Sequence, residues 1–180
     1  MNAADEGELM LSATRRLAAP VPRVWSACTT KRELERWWGP ADLQTTVRRL
    51  EVRKGGAIAF HVRYVPALLT RASAEAFRAA GVPIAFDLRG TVTELVPESL
   101  LVFDLTLDLG KSGAGIPMAT RLELVPDGDA TQVTVSGSGQ PTPHWRTLGA
   151  QNLAGQLERL ERVVAPGRSV VPGPLSGRTA

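Results

Sequence analysis

Few side chains in this sequence could carry out chemistry. Beyond the common carboxylates, hydroxyls and three lysines, the reactive groups are one cysteine, Cys28, two histidines, His61 and His144, and one tyrosine, Tyr64. Metal binding needs three or four ligands at defined spacings, and two isolated histidines with one cysteine match none of them, so neither a metal nor a cofactor is expected. General acid/base work would fall to a histidine or to a carboxylate shifted by its surroundings. His61 lies, by alternation, on the face opposite Phe60 and Val62, and is expected to face solvent. His144 opens the last helical segment and is the better base. Cys28 shares a helical stripe with Trp25 and reads as a small buried hydrophobe. Tyr64 falls inward with Phe60 and Val62; a buried hydroxyl needs a partner and could orient a polar ligand group. Glu94 falls inward with Val92 by simple alternation, where burial would raise its pKa and make it an acid/base candidate. Asp87 and Arg89 alternate with Phe86 and Leu88 and should pair on the outer face. The run Ser112 to Gly115 lacks the Lys-Ser/Thr ending and strand-to-helix setting of a phosphate loop and reads as a flexible connection.

The elements that must position these groups follow from periodicity. Residues 8–18 alternate through Leu9, Leu11 and Ala13 and predict a strand. Pro20 and Pro22 end it and can start a helix carrying Val21, Val24, Trp25 and Cys28. Thr30 with Glu33 has the spacing of a capping box for a second short helix, KRELERWW, which Gly39-Pro40 stops. The adjacent Trp37 and Trp38 would point about 100° apart on a helix, so at most one can be fully inward. Residues 43–52 and 57–65 read as a hairpin around Lys54-Gly55-Gly56. The segment 66–83 interrupts the strands with a short helix that includes Phe77. Strands follow at 84–96, 100–108, 118–125 and 131–138, and then a helix over about 142–164 with Leu153, Leu157, Leu160 and Val164 on one stripe. Such a run predicts an α+β fold, an antiparallel sheet covered on one face by the long helix.

Composition agrees with one soluble domain over residues 8–165, with flexible tails at 1–7 and 166–180. The chain has 180 residues, 43% of them hydrophobic, and a net charge of +3. No apolar run of membrane-spanning length is present, and the acidic start MNAADEGELM lacks the regions of a signal peptide, so a cytoplasmic location is expected. The 21 basic residues are dispersed among strands and interleaved with acids, which argues against a nucleic-acid face.

Five segments resemble a known group in the right order. APVPRVWSACTTKRELERWWGP is similar to the opening of the SRPBCC or START-like superfamily, VRKGGAIAF to its double-glycine hairpin, and GTVTELVPESLLVF to its next strand pair. LVPDGDATQVTV is similar to its last hairpin and AGQLERLERVV to its terminal helix. Within that superfamily the chain resembles the branch related to the activator of the heat-shock-protein-ninety ATPase. The resemblance implies the helix-grip fold of the birch-pollen-allergen type: a seven-stranded antiparallel sheet curved around the C-terminal helix, with two short helices after the first strand and a cavity between sheet and helix. It also suggests a bulge at the Glu94 step that would turn Leu95 inward instead of Glu94. Two features depart from the pattern: Gln151-Asn152 where relatives often carry an aromatic residue, and the length of the 66–83 insertion.

The helix also points to a cavity. Its C-terminal half presents Leu157, Leu160 and Val164 inward, whereas Gly149 and Ala150 leave space against the sheet that should hold a ligand, water or strand aromatics. The candidate lining is Trp38, Phe60, Val62, Tyr64, Phe86, Phe103, Met118 and Gly149, with Phe77 and Trp145 at the mouth. The expected function is binding of a small, mostly apolar molecule such as a lipid or polyketide. The alternatives are a cyclase or hydrolase using His144, Tyr64 or Glu94, and a co-chaperone-like interaction domain. A homodimer through an uncovered strand edge is compatible with the pattern. A chaperone partner is not expected.

Overall fold

The computed structural model describes residues 11–39, 43–65, 84–108, 115–137 and 143–165. Their elements are β1 (Leu11–Leu17), α1 (Val21–Thr29), α2 (Lys31–Trp37), β2 (Leu43–Leu50), β3 (Ala57–Tyr64), β4 (Ala85–Val96), β5 (Leu100–Asp108), β6 (Ile116–Asp127), β7 (Ala130–Gly137) and α3 (Pro143–Val164). The segments read as tails, the 66–83 insertion and positions 112–114 lie outside the described residues.

The strands form one seven-stranded sheet in the order β1-β7-β6-β5-β4-β3-β2, antiparallel at every pairing. β2 to β7 run as a meander, and α1 with α2 carry the chain from one sheet edge, β1, to the other, β2. The α+β helix-grip architecture read from the sequence is therefore the fold. Each strand contributes alternate residues to one face, and that face is the core: Phe60, Val92, Leu101, Phe103, Leu122 and Val133 are all buried. The opposite, convex face is polar.

α3 packs chiefly on β1, with further contacts to β7, α1 and α2. Polar ties fix it there. Arg15 of β1 donates to Glu161 at 2.8 Å, and Arg23 of α1 donates to the Val163 carbonyl at 2.8 Å. Arg159 donates to the Trp37 carbonyl at 3.1 Å, which satisfies an end-of-helix acceptor of α2. The helix therefore clamps three elements through guanidinium groups while Leu157, Leu160 and Val164 bury their apolar surface.

Two local expectations are corrected. Thr30 is the N-cap of α2, but its side chain makes no capping bond. Glu33 instead accepts from Arg23 at 2.7 Å, and the Thr30 N–H that a capping box would offer it already donates to the Ser26 carbonyl at the end of α1. Trp37 and Trp38 are both buried, because α2 ends at Trp37 and Trp38 is extended at φ −68° and ψ 134°. The 100° rule applies only between residues that are both helical.

Gly155 sits in the interior of α3, and a Cβ built on it meets nothing within 4 Å. Gly155→Ala should therefore stabilise the fold by about 0.5–1 kcal/mol, through helix propensity and a less flexible unfolded chain. An increase in the urea midpoint measures it, and a decrease would mean that this face of α3 is in contact.

Candidate functional site

The concave face of the sheet is the place where an apolar ligand could lie, and its cover is graded along the strands. At one end Ile58, Val92, Leu101 and Val133 are buried, beneath the region held by α1, α2 and the C-terminal half of α3. At the other end Leu43, Phe86, Leu107 and Met118 are only partly buried against the core. Register explains the row: Leu43 pairs with Tyr64, Val62 with Phe86, Leu88 with Leu107 and Leu105 with Met118. Adjacent strands thus bring half-covered apolar side chains to the same end of the half-barrel.

Trp38 forms the inner boundary of that end. Its ring stacks on Phe60, with centroids 5.5 Å apart and planes 21° apart, and lies 5.2 Å from Phe103. Trp37, perpendicular behind it at 5.7 Å, donates its indole N–H to the Ala27 carbonyl at 2.9 Å. Aromatic side chains therefore fill the middle of the concavity, as close packing requires.

The sequence-derived candidates separate accordingly. Trp38, Phe60, Val62 and Phe103 are packed core, while Phe86, Met118 and Tyr64 lie at the half-covered end. Gly149 is half-buried within α3. Phe77 lies outside the described residues, and His144 and Trp145 begin α3 with side chains outside them. Glu94 is turned outward: its side chain is 59% exposed, 3.9 Å from Arg121. A bulge between Val92 and Glu94 reverses the alternation and lets Leu95 pack on the core. This is the bulge that the resemblance suggests, and simple alternation, which would have put Glu94 inward, does not hold here.

His61 is on the convex face, where its Nδ1 lies 2.7 Å from Asp87 Oδ1. That hydrogen bond is the main reason why the Asp87 carboxyl is held below the usual carboxylate range, with Arg89 adding to the effect. Cys28 is buried, and burial, with the Glu33 charge second, pushes its thiol up to about 12. A thiol so protonated is no nucleophile at neutral pH. Among the described residues no group of His, Cys, Asp or Glu could hold a metal ion.

With the fold and this face described, comparison with known proteins becomes specific. The sequence pattern of the family described as Activator of Hsp90 ATPase homolog 1-like protein matches residues 18–165. The chain belongs to this family. No curated protein matches. Among solved structures of similar fold, protein CV1439 from Chromobacterium violaceum has a TM-score of 0.66 at 21% identity, covering 88% of this chain and 99% of that one. A solution structure of a protein from Arthrobacter aurescens has a TM-score of 0.69 at 18% identity, with 94% of each chain covered. DynU16, of the dynemicin biosynthetic locus, has a TM-score of 0.59 at 18% identity, covering 85% of this chain and 46% of that one.

One residue of this Activator of Hsp90 ATPase homolog 1-like chain was not singled out by its sequence. Gln156 is buried to 7% exposure, and its Oε1 has no hydrogen-bond partner. It lies one helical turn before Leu160, beside the apolar stripe and on the flank from which Arg159 reaches α2. An amide at the border of a leucine stripe was the available signal. Periodicity alone cannot tell whether such a group is satisfied.

Proposed function

We propose that this protein binds a small, mostly apolar molecule, of lipid or polyketide type, against the concave face of its sheet. The observation that supports it is the row of partly buried Leu43, Phe86, Leu107 and Met118 that adjacent strands bring to one end of that face. Apolar side chains gathered at one end of a half-barrel, with few polar groups among them, have the composition of a ligand site. Gln156 belongs to α3, which packs chiefly on β1 and α2, and its buried acceptor without a partner costs about 1–3 kcal/mol wherever it is left unmatched.

Catalysis is the weaker reading. Of the acid/base candidates with described side chains, Glu94 faces solvent and Tyr64 alone shares the concave face with Val62. A single phenol does not make an acid–base pair. The resemblance of fold to a protein of a biosynthetic locus concerns architecture, not activity.

Native mass spectrometry of protein purified from its own host tests the proposal: a bound apolar molecule of defined mass supports it, and protein that is ligand-free on repeated preparation counts against it. Gln156→Leu, which removes the unpartnered acceptor of α3, should raise the stability of the protein by about 1–2 kcal/mol. A loss of stability would show that the amide is a structural group.

A further inference from the structure

The convex face carries a second feature, unrelated to the apolar interior. Arg49 of β2 is in register with Ala59 of β3, and Ala59 with Arg89 of β4. Two guanidinium-bearing strands thus flank a methyl group, with about 10 Å between their backbones. A bulge between Val47 and Arg49 adds a third cation, because it places Arg48 and Arg49, neighbours in sequence, both on the exposed side. The bulge is anchored from both sides: Val47 donates its N–H to Glu35 at 2.7 Å, and Lys31 donates to the Arg48 carbonyl at 3.1 Å.

The result is a hollow of about 280 Å³, with Ala57 and Ala59 among its lining and Arg48, Arg49, Arg89 and Asp87 around them. Its charge balance favours an anion, since three guanidinium groups, Arg48, Arg49 and Arg89, face two carboxylates, Asp87 and the Glu51 that pairs with Arg49. Asp87 is the one carboxylate of the lining, and it is engaged at 2.7 Å by His61. Arg89 and Arg48 share what remains of it only at 3.4 and 3.8 Å. Arg49 is held in place by Glu51 through Nε at 2.7 Å and Nη2 at 2.5 Å, so one wall is ordered before any ligand arrives. The fork of Arg89 and the remaining N–H edge of Arg49, on opposite sides of a small-residue floor, suit an oxyanion that can accept from several directions.

We propose that this hollow binds a phosphate group. Arg48 and Arg89 leave their long contacts with Asp87 for the phosphate oxygens, His61 retains the carboxylate, and Ala57 and Ala59 leave the space in which the group sits. Phosphate is favoured over carboxylate because three cations surround the site and a tetrahedral anion presents oxygens to all of them.

The test uses the full chain at low ionic strength, with inorganic phosphate as probe and arginine side-chain N–H resonances as readout. Phosphate should shift the Arg49 and Arg89 signals saturably. Ala59→Leu, which fills the floor and keeps every charge, should weaken binding by about tenfold or more, as should Arg89→Gln. Arg53→Gln removes a cation outside the hollow and should change affinity by no more than about twofold. Saturable shifts lost in Ala59→Leu, with the fold retained by circular dichroism, establish the site. The proposal fails if wild-type signals do not move, if Ala59→Leu binds as wild type, or if Arg53→Gln weakens binding as much as Arg89→Gln. The source of the phosphate is resolved by sedimentation with phosphatidylcholine vesicles containing one-third phosphatidic acid. Pelleting that inorganic phosphate competes away assigns the hollow to lipid headgroups, and phosphate binding without pelleting assigns it to a soluble phosphorylated molecule.

Discussion

Trp38→Ala should cost this protein about 3–5 kcal/mol of folding stability, the range for removing a large aromatic side chain from a packed interior. The indole is 8% exposed and touches ring systems on three sides, Trp37, Phe60 and Phe103. Those neighbours belong to α2, β3 and β5, so they cannot collapse together into the vacated space without moving whole elements. The measurement is the urea midpoint at unchanged m-value. Because the hole would be apolar and shaped like the lost ring, added indole should restore part of the stability in a concentration-dependent way. A loss below about 1 kcal/mol would exclude Trp38 from the packed core and make its ring a mobile part of the ligand-binding face.

Gly90→Val should be the most damaging single substitution in the sheet. A Cβ built on Gly90 of β4 lies 1.7 Å from the Asp104 carbonyl oxygen and 2.9 Å from the Leu105 Cα, both backbone atoms of β5. No rotamer relieves a clash with backbone, so the β4–β5 pairing must open at its middle, where Gly90 faces Leu105 in register. The curvature of the half-barrel is the reason: a sheet bent this sharply brings one strand's carbonyls over its neighbour, and only glycine leaves room. A loss on the order of 4 kcal/mol is expected, read as a lowered urea midpoint or as insoluble protein. Gly90→Ala should show most of the same effect, because the clash is with Cβ itself. A Gly90→Ala protein of wild-type stability would contradict the close approach.

These two positions show what could and could not be foreseen. The order of elements was legible because strands with one buried face alternate, helices repeat every three to four residues, and glycine and proline mark the ends. The alternation placed Phe60, Val62 and Phe103 inward, and His61, Asp87 and Arg89 outward. It failed where the period breaks. The bulge at Val92/Glu94 reversed Glu94, and the bulge at Val47/Arg49 set two arginines side by side on the convex face. Neither bulge can be read from the composition of its strand, since a bulge is settled by the partner strand's register; the one at Glu94 was suggested only by the family resemblance. The Thr30 and Glu33 pair had the spacing of a capping box, yet Arg23 on a different helix takes the carboxylate.

The sequence by itself determined the α+β class, the strand and helix order and the apolar character of the interior, because each follows from local period and composition, and the resemblance of five ordered segments pointed to the family. The tertiary structure alone decided that Trp37 and Trp38 are both buried, that Gln156 is left without a partner, and that three arginines meet around Ala59. Those outcomes depend on groups distant in the chain competing for the same space, hydrogen bonds and charge, and that competition is resolved only when the strands are in register.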